Sequence, residues 1–261
     1  MKIFYCTIVL LLVGCSSVHI PSPKNIPLFE NKGEAQIETG VSTNSLYLAG
    51  NFAFSEKYAI IANGSISYPA IAGQSIVHYD ELTLFLEGDI PHYSFEVGVG
   101  KYNLLPSSKR RLELFAGAGY GMSSYNFTKY PNQNYKQCFI QVNTGKRYNY
   151  LEVGWSLRSA FSGFHHQYGV SDKDKYGIEH EKYHAIHLEP LFVIRVGGQR
   201  VRWFARTGFN LAFPLSSNSL IETFVINKGY VNKGYTMFHF STGISYRFPN
   251  KIRNSTFQNF K

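Results

Sequence analysis

Ten stretches of this chain alternate apolar side chains with polar, charged or glycine residues for about ten residues each, and that period of two constrains the fold more than any other feature. The pattern is clearest in five of them. Leu112, Leu114, Ala116, Ala118, Tyr120 and Met122 alternate with Glu113, Gly117, Gly119 and Gly121. Leu151, Val153, Trp155 and Leu157 alternate with Glu152, Gly154, Ser156 and Arg158, and Ile186, Leu188, Phe192 and Ile194 with His187, Glu189 and Arg195. Trp203, Ala205, Phe209 and Leu211 alternate with Arg202, Arg206 and Asn210, and Phe238, Phe240, Ile244 and Tyr246 with His239, Ser245 and Arg247. Each stretch sets charge or polarity opposite its apolar stripe. A soluble sandwich would bury the stripe and wet the charges, whereas a barrel in lipid does the reverse, so the period alone leaves both architectures open. Gly 23, Tyr 19 and Phe 21 among 261 residues, with only 16% charged, fit a chain of strands and turns rather than helices.

Turn lengths organise the stretches. The predicted strands are 33–42, 45–54, 58–68, 92–102, 110–124, 137–147, 149–162, 184–197, 200–213 and 235–248. Short connections then alternate with the long segments 69–91, 125–136, 163–183 and 214–234, the asymmetry of outer-membrane barrels with short periplasmic turns and long outer loops. The expected fold is all-β, an antiparallel up-and-down transmembrane barrel of ten strands. Residues 81–90 also alternate, and a hairpin there with a new partner would make twelve.

The N-terminus adds a location. Lys2 followed by an apolar run to Val13 has the length of a signal-peptide core and is too short to span a bilayer. Leu12-Val13-Gly14-Cys15 resembles the bacterial lipobox, which implies cleavage after Gly14 and a diacylglycerol, with palmitate-type chains, on Cys15. The expected organisation is a signal peptide over 1–14, a lipidated tether over 15–32 with Pro21, Pro23 and Pro27, a barrel over 33–248 and a periplasmic tail over 249–261. Cys6 leaves with the signal, so Cys138 has no disulfide partner. The last strand, with Phe240, Ile244, Tyr246 and Phe248 at even steps, is similar to the C-terminal insertion signal of outer-membrane proteins, although thirteen residues follow it. From lipobox to closing strand the chain resembles the outer-membrane β-barrel lipoproteins of Bacteroidota, which implies an outer-membrane location. The acidic run that directs surface export in that group is absent after Cys15, so the anchor is expected to face the periplasm.

The formal charge of +9 falls to +8 when Lys2 departs, and it is scattered over strand ends and loops without a basic helix or nucleic-acid motif. Nucleic acid is therefore not an expected partner. Outer-membrane lipid is, together with an extracellular or envelope partner that the sequence does not identify. The predicted lumen carries Glu38, Glu96, Glu113, Glu152 and Glu189 against Arg158, Arg195, Arg202, Arg206 and Arg247. These charges either pair and plug the barrel or line a narrow wet pore for small solutes. Lumen-facing glycines such as Gly98, Gly100, Gly117, Gly119 and Gly121 leave room for either.

Histidines gather around the third long loop, at His165, His166, His180, His184 and His187, beside Glu179 and Glu181. In a strand, residues four apart lie about 13 Å apart, too far for one metal, so no metal site and no cofactor is expected. Enzymatic outer-membrane barrels, among them lipid A modifiers and omptin-like proteases, carry their chemistry on the outer rim. Ser159, Ser162, His165, His166 and Asp172 occupy that region without a recognisable motif, so no catalytic site and no enzyme is expected. The expected role is structural, accessory or partner-binding. A narrow pore, a rim enzyme that modifies lipid or peptide, and a soluble periplasmic lipocalin-like lipoprotein stand as alternatives.

Overall fold

The computed structural model describes residues 24–42, 45–67, 77–79, 82–84, 92–105, 110–123, 132–172, 175–215 and 235–248. The strands are β1 (Ala35–Ser42), β2 (Ser45–Phe52), β3 (Tyr58–Ser67), β4 (Val77–Tyr79), β5 (Leu82–Leu84), β6 (His92–Lys101), β7 (Arg111–Ser123), β8 (Asn132–Arg147), β9 (Leu151–Asp172), β10 (Lys175–Gly197), β11 (Val201–Pro214) and β12 (Tyr235–Phe248). Ten of them close an antiparallel barrel in the order β1-β12-β11-β10-β9-β8-β7-β6-β3-β2. Closure is made by β1 against β12 in unbroken register from Ala35↔Phe248 to Ser42↔Ser241. Among the described residues β4 and β5 pair only with each other, in a separate two-stranded sheet, so the described part of 81–90, residues 82–84, adds no strand to the wall.

Strand parity sends the apolar stripes outward. Trp155, Leu157, Trp203 and Ile244 are each more than half exposed on the outer surface, while Glu96, Arg158 and Arg195, on the opposite parity, are fully buried in the lumen. A soluble sandwich or lipocalin cannot adopt this inside-out arrangement, because exposed side chains of that size would form a contiguous apolar surface far larger than water-soluble monomers carry. The belt is rimmed by aromatics. Phe52, Tyr58 and Tyr150 stand at the short-turn end, and Tyr93, Tyr120, Phe161 and Phe213 stand toward the loop end. The chain is a closed β-barrel built as a membrane-spanning one, apolar outside and charged within.

The third long connection differs from the expectation of a loop. β9 and β10 pair continuously to Lys175↔Asp172 and run 22 and 23 residues, about twice what a tilted strand needs to cross a bilayer. β8 likewise begins at Asn132, within the segment expected to be loop, and pairs Asn132 with Gln167. β11 pairs with β10 only from Ala185. Residues 168–172 and 175–179 therefore form a two-stranded ribbon rising above the wall, and 180–184 pair with β9 where β9 also pairs with β8. Alternation of apolar side chains stops where lipid stops, but hydrogen-bonded pairing does not, which is why the sequence pattern ends these strands too early.

Position in the bilayer sets the cost of charge on the outer face. Leu157→Arg, near the belt's midplane, should destabilise the barrel by about 2–4 kcal/mol, and Phe54→Arg, at the short-turn rim, by about 0–1 kcal/mol, both read by urea unfolding in liposomes. Equal penalties at the two positions would contradict the belt.

Candidate functional site

The lumen is occupied by the chain itself. Residues Lys24 to Phe29, read from sequence as part of a tether, lie inside the barrel, with Asn25, Ile26 and Leu28 wholly inaccessible to solvent. Three prolines within 21–27 deny this segment a helix, and its apolar side chains have no period of their own, so it takes its conformation from the walls around it. Leu28 is left-handed, with φ 52°, a conformation that a branched side chain holds only where its surroundings impose it. The walls are hollowed to receive it. A Cβ on Gly154 would stand 3.2 Å from Ile26 and 3.3 Å from Leu28, and one on Gly145 would stand 2.5 Å from Leu28. Of the glycines expected to leave space, Gly119 makes room for Glu96, whose Cγ a Cβ there would meet at 2.8 Å, whereas Gly98, Gly100, Gly117 and Gly121 make room for the rings of Phe139, Phe115 and Tyr135.

Charge pairing fixes the segment at three levels. At the short-turn mouth, Glu152 accepts from Arg147 Nε at 3.1 Å, from Arg202 Nη1 at 2.9 Å and from Arg195, with Arg247 Nη2 at 3.4 Å. Arg147 also pairs with Glu34 at 2.9 Å and Glu30 at 3.3 Å and donates to the Leu28 carbonyl, while Arg111 meets Glu30 at 3.1 Å. One level higher, Glu38 binds Arg195 Nη2 at 2.6 Å and Arg206 Nη2 at 2.5 Å across the lumen. Higher still, Glu96 takes both Arg158 Nη atoms, at 2.8 and 2.9 Å, and Lys24 Nζ at 2.8 Å, and Gln137 also donates to it. Glu189 lies 3.3 Å from Arg158 Nε and 3.6 Å from Lys24.

All ten charges assigned to the lumen from sequence point into it. Neighbouring-strand register brings together Arg195↔Glu152 and Arg158↔Glu189. The contacts of Arg158 with Glu96, and of Arg195 and Arg206 with Glu38, instead cross the interior between strands far apart in sequence. Of these ten charges, Glu113 has no ion pair with a described residue: its oxygens accept from the Phe29 amide at 2.6 Å and from Asn143 Nδ2 at 3.0 Å. Arg158 lies over the Phe139 ring at 3.8 Å, so its planar face is covered as well as its edge. At the mouth, Tyr102 packs on Phe29, with ring centroids 5.5 Å apart, and donates to the Ser55 carbonyl at 2.7 Å. Burial pushes its hydroxyl up to about 12, so it remains a donor at neutral pH.

Sequence reasoning missed Lys24, Glu34 and Arg147 as members of this network. A signal was present, because Lys24 and the trio Ile26, Leu28 and Phe29 are poor choices for a solvated linker. The rim residues do not assemble. Ser159 faces outward and Ser162 inward, on opposite parities of β9. His184 is exposed and stacks on Phe161 at 5.5 Å, whereas His187 is buried and lies 3.2 Å from Asn210 Oδ1. The side chains of His166, His180 and Asp172, and all of Cys15, lie outside the described residues. Among the described residues there is no cluster of three or more His, Cys, Asp or Glu side chains able to hold a metal ion.

Removing one partner from the buried network should cost more than removing both. Glu96→Met leaves Arg158 and Lys24 to share Glu189 alone and should destabilise the barrel by about 3–5 kcal/mol, while adding Arg158→Met should recover part of that loss in liposome unfolding. A double variant less stable than the single one would count against the pairing described.

No known protein family and no curated protein matches the chain. Among solved structures it is similar to the outer membrane protease OmpT from Escherichia coli, with 13% identity, 89% of this chain and 100% of that one covered, and a TM-score of 0.46. It is also similar to OmpT of Vibrio cholerae, an outer membrane protein, with 10% identity, 82% and 98% coverage and a TM-score of 0.19. The expectation that the chain is not an enzyme is corrected here. The first of these barrels is a protease, so a barrel of this form gives no ground for excluding catalysis.

Proposed function

We propose that this chain is an outer-membrane lipoprotein of the Bacteroidota barrel type, acylated on Cys15, whose barrel is a closed mount for elements displayed at its loop end. The observation that carries this reading is the burial of Lys24–Phe29 in the lumen, with both Glu96 and Glu152 held by cations of the wall and Lys24 bound to Glu96. A solute path would have to break those pairs, and stranding buried ions costs several kcal/mol each. The pore alternative is therefore disfavoured on energetic grounds. The ribbon formed by the ends of β9 and β10 is the displayed element. Within 175–183, β10 pairs with β9 alone among the described strands, and such an edge suits strand addition by an extended segment of an extracellular or envelope partner.

Conductance of the full chain in planar bilayers tests closure. The native protein should be silent, and Ile26→Ser combined with Leu28→Ser, which removes the packing against Gly145 and Gly154, should produce opening events. Stable conductance from the native protein would reject the closed mount. Acylation is tested separately: mass spectrometry of the mature protein should show a diacylated Cys15 N-terminus, and Cys15→Ala should lose it.

A further inference from the structure

Charge is scarce on the outward face of the wall. Among its described side chains no carboxylate faces outward, and the outward lysines and arginines are Lys101, Lys136, Lys146 and Lys182. Lys101 and Lys146 stand at the short-turn ends of β6 and β8. Lys136 and Lys182 lie at the loop end, on β8 and β10, with only β9 between them. Strand register sets them in two rows across these three strands. Lys136 pairs with Gly163 and Gly163 with His184, and in the row above Asn134 pairs with His165 and His165 with Lys182.

The height of the rows decides what they meet. Phe161, an upper aromatic of the belt, lies two residues below Gly163 on β9, so the rows stand about 5 and 10 Å above it for a strand tilted ~40°. The headgroup layer adds about 5–8 Å beyond the hydrocarbon on each side, and lysine stems are long enough to span the remainder. Both rows therefore serve the level of lipid phosphates. Below them Ile140, Phe161 and Ile186 are exposed on the same three strands, an apolar surface fit for acyl chains.

The patch is also shaped in advance. The His184 ring lies nearly parallel to Phe161, with centroids 5.5 Å apart and planes 18° apart. It reaches over β9 at Gly163, where a Cβ would stand 3.2 Å from its Nδ1. Glycine there leaves a saddle between Lys136 and His184, whose Cα atoms are two strand spacings, about 10 Å, apart. Neither Lys136 nor Lys182 forms an ion pair with a described residue, so both ammonium groups can turn to an outside anion.

We propose that this patch binds the phosphorylated headgroup of an outer-leaflet lipid, with Lys136, Lys182 and His184 on the phosphate and the apolar surface beneath on the acyl chains. Ammonium groups on long stems meet a phosphate as point charges, and the imidazole N–H adds a directional donor. The site lies at the base of the β9–β10 ribbon, so a bound lipid also braces the element displayed there. The assignment to the outer leaflet rests on the reading above of the loop end as the outer one.

The full chain, purified in dodecyl maltoside, is titrated with lipid A carrying its phosphates and with the same lipid after their removal, and the bound fraction is read by native mass spectrometry. Each lysine beside an anionic headgroup is worth roughly fivefold, so Lys136→Gln combined with Lys182→Gln should weaken binding of the phosphorylated lipid about thirtyfold. Lys101→Gln combined with Lys146→Gln, at the opposite end, should leave it unchanged. Equal affinity of the native protein and the loop-end variant, or of the native protein for the two lipids, overturns the proposal. An equal loss in the short-turn variant overturns it too, since net charge rather than a site would then govern binding. Orientation is read separately, from Asn149→Cys in the short turn between β8 and β9, with Cys138→Ala and a membrane-impermeant maleimide. Labelling only after permeabilisation is expected. Labelling on intact cells overturns the outer-leaflet assignment together with the orientation, whereas failed lipid binding with Asn149→Cys protected overturns the site alone.

Discussion

Arg195 is the side chain on which the closed lumen depends. Its guanidinium donates to Glu38 through Nε at 2.7 Å, to Glu152 through Nη1 and to the Ile26 carbonyl through Nη2 at 2.8 Å. One planar cation therefore joins β1, β9, β10 and the lumen segment, and a lysine, with a single compact ammonium, could not hold that fork. Because Glu38 belongs to the strand that closes the barrel against β12, the same group couples wall closure to occupancy of the interior. Lumen charge here is a fastening between wall and plug, with both signs supplied by one chain.

The wall was legible in the sequence because lipid imposes a strict rule on it. Leu157 and Trp155 must be apolar and Arg158 and Ser156 need not be, so parity is written residue by residue, and the ten strands and their inward charges follow from it. Lys24–Phe29 obey no such rule. Their burial is imposed by Gly145 and Gly154, well over a hundred positions away, and no local pattern carries that information. The partners across the lumen were illegible for the same reason. Arg195↔Glu152 can be read from a hairpin register, but Arg158 with Glu96 joins β9 to β6 through space that only closure creates.

Where the lipid ends, the sequence rule ends with it. The ribbon of β9 and β10 continues in hydrogen-bonded register past the belt, so polar alternation there reads as loop although the backbone is strand. Function at that end is equally unwritten in periodicity, since Ser159 and Ser162 diverge by parity and leave no constellation to recognise. The barrel's outline alone does not separate binding from catalysis.

The segment inside the barrel also fixes an order of events. Lys24–Phe29 precede β1 in the chain, and the seam between β1 and β12 runs eight residue pairs without a break. With the acylation of Cys15 proposed above, a finished ring cannot be threaded by a leading end that carries two acyl chains, so the ring must be drawn shut around a segment already in place. Assembly therefore has to keep the first and last strands apart until the interior is filled. Once the seam forms, the chain becomes its own cotter pin, withdrawn only by opening the wall.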